Sequence, residues 1–178
     1  IMNYDIETIE KYQEILGKLE QFVEPIIAGG AIRDMLLDKP VKDIDIFYKG
    51  KLPDSVVKQL FTIEAKYDKS YDESTFKVFY SKVFYKDVKL PIQLIETKQT
   101  PQEVVLEDFG VNLSKVWLTR AGLIIPNEFM LDASLQILTF KPNCKQSYVE
   151  RIIHKYPEYT CTGLGSNYEE QGVLFGFI

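Results

Sequence analysis

Between Ile26 and Phe47 the chain changes character three times within a short span, and few folds accept the result. Ile26, Ile27 and Ala28 form a brief apolar run stopped by Gly29-Gly30, and residues 31–37 (AIRDMLL) then have helical character up to Pro40. After that, Asp43-Ile44-Asp45-Ile46-Phe47 alternates acidic and apolar residues. This reads as a strand, a glycine turn, a short helix and a second strand with one face in the core. Because side chains alternate along a strand, Asp43 and Asp45 must share the other face, about 6 to 7 Å apart.

The rest of the chain places this unit in a mixed α and β domain. Ile9, Tyr12, Leu16, Leu19 and Val23 recur at helical spacing, which predicts an amphipathic first helix ending before Pro25. Further helices are expected over Pro53–Phe61, Pro101–Glu107 and Ser147–Lys155. The aromatic-rich segment Thr75–Tyr85 and the segment Val88–Ile95, joined by Lys86-Asp87, predict two antiparallel strands. Short apolar runs lie at 111–118, 123–125 and 135–140. The order contains no repeating βαβ unit, so the expected class is α+β, a small mixed sheet flanked by helices, and not a doubly wound sheet. The boundaries expected are a domain over 1–140 that includes the first helix, and a helical extension over 141–178 packed on it.

Composition removes several function classes. The 178 residues carry a net charge of -5 and no third of the chain is basic, which disfavours broad electrostatic binding to duplex nucleic acid. A local basic strip still suffices to hold a few nucleotides. Two cysteines, Cys144 and Cys161, and the single His154 nearly exclude a zinc site. They also exclude a Ser-His or Cys-His nucleophile unless His154 is the base. No apolar run is long enough for a membrane span and no secretory segment opens the chain, so no membrane partner and a cytoplasmic location are expected.

The remaining chemistry converges on the glycine turn and the acidic strand. Adjacent glycines let the backbone approach a ligand, and a helix start directs N–H groups at an anion, so Gly29 and Gly30 are candidate contacts for a triphosphate. Asp43 and Asp45 repel each other when unpaired, a repulsion that Mg2+ relieves, since it favours one or two carboxylates with phosphate oxygens and water. With two metals the same pair can bridge an attacking hydroxyl and a leaving pyrophosphate. Taken singly, a Gly-Gly pair is an ordinary turn and two alternating aspartates an ordinary solvated strand face; their conjunction around Arg33-Asp34 is what carries the functional reading. Arg151, His154 and Lys155 can lie on one helical face and hold phosphates of an acceptor, or form a solvated helix surface. The strip Phe76, Phe79, Tyr80, Phe84 and Tyr85 can stack bases, or pack a two-sided strand. The apolar segment 172–178 is expected to dock on the domain or on a second copy.

Gly29-Gly30-x-x-Arg33-Asp34 followed by Asp43-Ile44-Asp45-Ile46 resembles the head domain of the tRNA nucleotidyltransferase and bacterial poly(A) polymerase group, within the polymerase-β-like nucleotidyltransferases. The likeness continues in order. Residues 106–113 (LEDFGVNL) are similar to the family's R-R-D-F-T-I-N-A motif, and Gly122–Pro126, Asp132 and Arg151–Lys155 to its later patterns. The resemblance implies transfer of a nucleoside monophosphate from an NTP to an acceptor hydroxyl, most simply an RNA 3′ end. It assigns Asp43 and Asp45 to a two-metal Mg2+ site and Gly29 and Gly30 to phosphate, with Arg33 nearby. Asp108 and Asn112 fall on positions that shape the nucleotide and acceptor site.

The departures are specific. Leu106 and Glu107 replace both arginines of the second motif, and Gly110 replaces its threonine. Gln93 stands where a third metal carboxylate is expected, leaving Glu96 as the nearest substitute, on the opposite face by alternation unless the strand ends or bulges. About 20 residues follow Tyr159, so a head domain on its own is expected and CCA addition to tRNA does not follow. Two other readings stay open: a catalytically weakened nucleotide- or RNA-binding module, and a transferase that modifies a protein side chain.

Overall fold

The computed structural model describes residues 2–66 and 76–162. Its centre is a seven-stranded mixed sheet in the order β3-β4-β5-β2-β1-β6-β7. The strands are β1 (Glu24–Ala28), β2 (Ile44–Lys49), β3 (Thr62–Ala65), β4 (Phe76–Tyr85), β5 (Val88–Thr97), β6 (Trp117–Thr119) and β7 (Gly122–Ile124). Only the β2–β5 pairing is parallel; its neighbours in the sheet are antiparallel. This confirms the mixed α+β class.

Helices cover both faces. Helix α1 (Ile6–Leu19) starts where the Asp5 carboxylate accepts the Thr8 N–H at 3.2 Å, and buries Tyr12, Ile15, Leu16 and Leu19. Its apolar spacing is the one read from the sequence. With α2 (Gly30–Leu36) and α3 (Asp54–Leu60) it packs on the face formed by Ile27, Ile44, Ile46, Ile92 and Leu94. Helix α4 (Pro101–Asp108) covers the other face, where Val104, Val105 and Phe109 meet Ile26, Phe47, Val78 and Ile95. Burial of these side chains, at about 25 cal/mol per Å² of apolar surface, is the main force holding both layers.

Helix α5 (Asn127–Leu135), strand β3 and the pairing of β8 (Ile137–Thr139) with β9 (Thr160–Thr162) were not anticipated. Helix α5 (Asn127–Leu135) starts after Pro126 and ends at Gln136, which adopts a left-handed conformation. It buries Phe129 and Asp132 but leaves Met130, Leu131 and Leu135 exposed, so its apolar residues do not mark its inner face. Strand β3 lies at the sheet edge with little burial, which is why it lacks an alternating signal. A separate parallel pair joins β8 (Ile137–Thr139) to β9 (Thr160–Thr162).

The C-terminal helix α6 (Gln146–Lys155) is integral to the main core: Tyr148, Val149 and Ile152, with Tyr156 just beyond, are buried in the same cluster as α1 and α2. Thr75 and the apolar segment 172–178 lie outside the described residues. In β4, Phe76, Val78 and Tyr80 are buried while Phe79 and Phe84 are half-buried, with Lys77 and Lys82 stacked over those two rings. The strip is therefore two-sided, with its inner half in the core. Among the described residues, no helix is long and apolar enough to cross a membrane.

Candidate functional site

One end of the sheet gathers the last residue of β1, the start of β2, the middle of β5 and the start of β6. On the α4 side of the sheet, alternation places Asp45 in the same file as Phe47. The parallel register sets Gln93 directly beside Asp45, and Trp117 pairs with Ala28. One step beyond the Ile27–Ile46 pair, Ala28 faces Asp45. Gln93, Asp45, Ala28 and Trp117 thus form one row across four strands, bordered by the aromatic pair Phe47 and Phe109 at 5.5 Å.

Asp45 is 6% exposed, and its Oδ1 is buried without a hydrogen-bond partner among the described residues. Burial, reinforced by the neighbouring Asp43 charge, pushes its carboxyl up to about 8, while the Arg151 and Arg33 charges pull against that shift. Asp43 is half-buried just before the strand. A buried, partnerless carboxylate oxygen next to a second carboxylate is a donor set suited to a hard cation that takes oxygen ligands. Two carboxylates and the neutral Gln93 amide are what the site offers. No group of three or more His, Cys, Asp or Glu is clustered for a metal among the described residues.

Glu96 does not join them. The β2–β5 register runs unbroken from Ile44–Ile92 to Tyr48–Glu96, so Glu96 sits on the Tyr48 side of the sheet, opposite Asp45. Its carboxylate lies 3.8 Å from Lys51 Nζ. The bulges that could have turned it occur in the β4–β5 pairing, and they do not alter the β5 register against β2.

The glycine turn is as expected in form. Gly29 has φ 77 and ψ -135, a conformation open mainly to glycine, and its N–H donates to the Val116 carbonyl at 3.2 Å. That N–H is therefore occupied by the fold. A Cβ on Gly30 would come within 3.3 Å of the Arg33 guanidinium.

Arg33 is buried beside this turn and bound to Asp34 and Ser114. Its Nε donates to Asp34 Oδ1 at 2.8 Å and its Nη1 to Ser114 Oγ at 2.7 Å. Asp34 also accepts from Lys155 Nζ at 2.6 Å and from the Tyr156 hydroxyl at 2.7 Å. Burial drives the Asp34 carboxyl up, but the Arg33 charge and the hydrogen bonds from Arg33, Lys155 and Tyr156 hold it below the usual carboxylate range. The proposed basic face of α6 consequently divides. Lys155 ties α6 to α2, His154 is exposed, and exposed Arg151 stacks 5.4 Å from the Tyr148 ring with its charge felt at Asp45.

Asp108 ends α4 with Oδ2 buried and without a partner among the described residues, and half-buried Asn112 opens the 3-10 turn Asn112–Ser114. Leu106 and Glu107 are both exposed, and Lys141 Nζ donates to the Glu107 carbonyl. Sequence reasoning missed the Asp34 hub and Trp117. The adjacent Arg33-Asp34 pair was visible, but its partners lie on α6 and the 3-10 turn.

Known proteins bear on this geometry. Curated CCA-adding enzymes align with the chain: that of Leuconostoc citreum is 29% identical over 126 residues, covering 64% of this chain and 30% of the enzyme. That of Lactobacillus delbrueckii subsp. bulgaricus is 25% identical over 127 residues, covering 67% and 32%. The chain thus spans about a third of the length of these relatives. Among solved structures, the Thermotoga maritima CCA-adding enzyme complexed with tRNA superposes with a TM-score of 0.65 at 16% identity, covering 96% of this chain and 43% of that one. The Bacillus stearothermophilus CCA-adding enzyme in complex with CTP gives 0.57 at 17%, covering 86% and 40%. The fold is that of the nucleotidyltransferase head domain of these enzymes. The description Gabija anti-defense 2 matches residues 4–132, well over half of the sequence, and the chain belongs to that family.

Proposed function

We propose that this chain is a metal-dependent nucleotidyltransferase whose site is built on Asp43 and Asp45, and that its family's anti-defense role is exercised through that transfer. The observation that carries the reading is Asp45: a buried carboxylate with a partnerless oxygen, beside Asp43, at the sheet end where the glycine turn begins α2. Leaving such a group without a cation costs stability, and a fold retains it where the cation does chemistry.

In this reading Asp43 and Asp45 hold Mg2+, which when bound stabilises charge on the phosphate oxygens and lowers the pKa of the attacking hydroxyl. The acceptor oxygen forms its bond to the α-phosphorus as the bond to the bridging oxygen breaks, pyrophosphate leaves with the electron pair, and the hydroxyl proton passes to solvent. Gly30 lets the backbone approach the phosphates, and Arg151 supplies positive charge facing Asp45. Arg33 acts from beside the turn, keeping it and the 3-10 turn in place. Asp108 and Asn112 border the nucleotide. The acceptor in the leading reading is an RNA 3′ hydroxyl, by likeness to enzymes solved with tRNA and with CTP.

A second reading, a nucleotide- or RNA-binding module without turnover, is favoured by the neutral Gln93 beside Asp45 and by Leu106 and Glu107. A protein side chain as acceptor keeps the same site. Incubation with Mg2+, each α-32P-labelled NTP, and either total RNA or the proteins of the Gabija system separates the three: label in RNA, label in protein, or binding without transfer.

A further inference from the structure

Of the cations Arg33, Lys155 and Arg151 that α2 and α6 bring near the glycine turn, two are consumed by the fold. Arg33 is bound to Asp34 and Ser114, and Lys155 Nζ to Asp34. Arg151 is exposed and makes no ion pair among the described residues; its guanidinium carbon lies 5.4 Å from the centroid of the Tyr148 ring. A free arginine side chain samples many rotamers, and ordering it on a ligand costs entropy. A ring one helical turn away gives the guanidinium a face to rest on, since residues three apart are neighbours on a helix and a cation is attracted to the ring face. Tyr148 is itself fixed. It is 3% exposed, and its hydroxyl lies 3.1 Å from Ser114 Oγ, the oxygen that accepts from Arg33 Nη1 at 2.7 Å. The other terminal nitrogen of that guanidinium, Nη2, lies 3.3 Å from where a Gly30 Cβ would stand. A line of contacts therefore runs from the glycine turn through Arg33, Ser114 and Tyr148 to Arg151. The Arg151 charge is also felt at Asp45.

We propose that Tyr148 is a positioning residue: its ring, held by Ser114, presents the Arg151 guanidinium to a phosphate of the bound ligand. A guanidinium binds phosphate through paired N–H donors, so its orientation matters as well as its charge. The triphosphate of an NTP is the expected source, which rests on the nucleotidyltransferase reading above; the backbone of an RNA acceptor carries the same group.

Isothermal titration of the full chain, with Mg2+ and each of the four NTPs and separately with a short single-stranded RNA, tests this in variants shown by thermal melts to be folded. Tyr148→Phe keeps the ring in the same slot and should bind NTP within about threefold of the parent. Tyr148→pentafluorophenylalanine keeps nearly the same shape but reverses the charge of the ring face, and should weaken NTP binding about fivefold relative to Tyr148→Phe. Arg151→Gln should weaken it about tenfold, and in that background the fluorinated ring should have no further effect, because Tyr148 acts through Arg151. Equal affinities in the two ring variants for both NTP and RNA, or losses that add in the double substitution, overturn the proposal, as does a parent that binds neither ligand. A ring-dependent loss confined to RNA supports it with the acceptor as the source of the phosphate. If NTP binding depends on the ring in a protein that transfers nothing, the role of Tyr148 stands and the transferase reading falls; if transfer proceeds while the two ring variants bind alike, the transferase reading stands and the role of Tyr148 falls.

Discussion

Lys155 Nζ lies 2.6 Å from Asp34 Oδ2 across 121 residues of sequence, and this contact ties α6 to α2. Asp34 accepts from Arg33, Lys155 and Tyr156, so removing it strands the buried Arg33 guanidinium. Asp34→Ala should cost about 3 to 5 kcal/mol of stability in urea unfolding, the range for breaking a buried ion pair. Lys155→Met should cost less, because its side chain is 30% exposed and its charge is screened.

The same hub predicts an acid limb. The folded Asp34 carboxyl titrates below its unfolded value, so its stabilisation is present above the unfolded pKa of about 3.9 and is lost as pH falls through the folded value. The stability difference between the parent and Asp34→Asn should be constant above about pH 5 and shrink below pH 4, as read by urea midpoints.

Asp45 has the opposite sign. With its carboxyl raised to about 8, the metal-free folded protein holds a proton that the unfolded chain releases from about pH 4 upward. Stability in EDTA should therefore fall as pH rises toward 8. Asp45→Asn should melt at or above the parent temperature at pH 8, with the advantage shrinking toward pH 5, and Mg2+ should raise the parent melting temperature but not that of the variant.

At the turn, Gly30→Val should weaken NTP binding at least tenfold in a folded protein, because its side chain meets the Arg33 guanidinium and blocks the approach of phosphate. Gly29→Ala should cost about 1 to 3 kcal/mol through its backbone conformation alone. Isothermal titration and thermal melts check both.

Much of this site was legible in the sequence because it is local. The glycine turn and the closeness of Asp43 to Asp45 follow from strand period and adjacency, whereas Gln93 beside Asp45 follows from the family resemblance. What was hidden depends on distant pairing. Lys155 belongs to a hub centred on Asp34 of α2, which also takes in Tyr156 just beyond α6 and, through Arg33, Ser114 of the 3-10 turn, and no periodicity in α6 distinguishes it from Arg151. Trp117 reads as an apolar residue in a short run until the β1–β6 register sets it across Ala28. Helix α5 was hidden for a third reason: its exposed leucines and Met130 blur the helical period.

The register also revises the role of Glu96. Gln93→Asp adds a charged oxygen beside Asp45 and should tighten Mg2+ binding severalfold in a direct titration. Glu96→Gln, on the other face, should leave both metal affinity and turnover unchanged.

Nucleotidyl transfer at Asp43 and Asp45 is measured as release of labelled pyrophosphate from γ-32P NTPs with Mg2+ and acceptor, for the parent and for Asp43→Asn and Asp45→Asn. Acceptor-dependent release by the parent is expected, with its loss by at least a hundredfold in either folded variant. Release that persists at the parental rate in folded Asp45→Asn, or a parent that releases nothing with any NTP and acceptor from RNA or the Gabija proteins, contradicts transfer at this site.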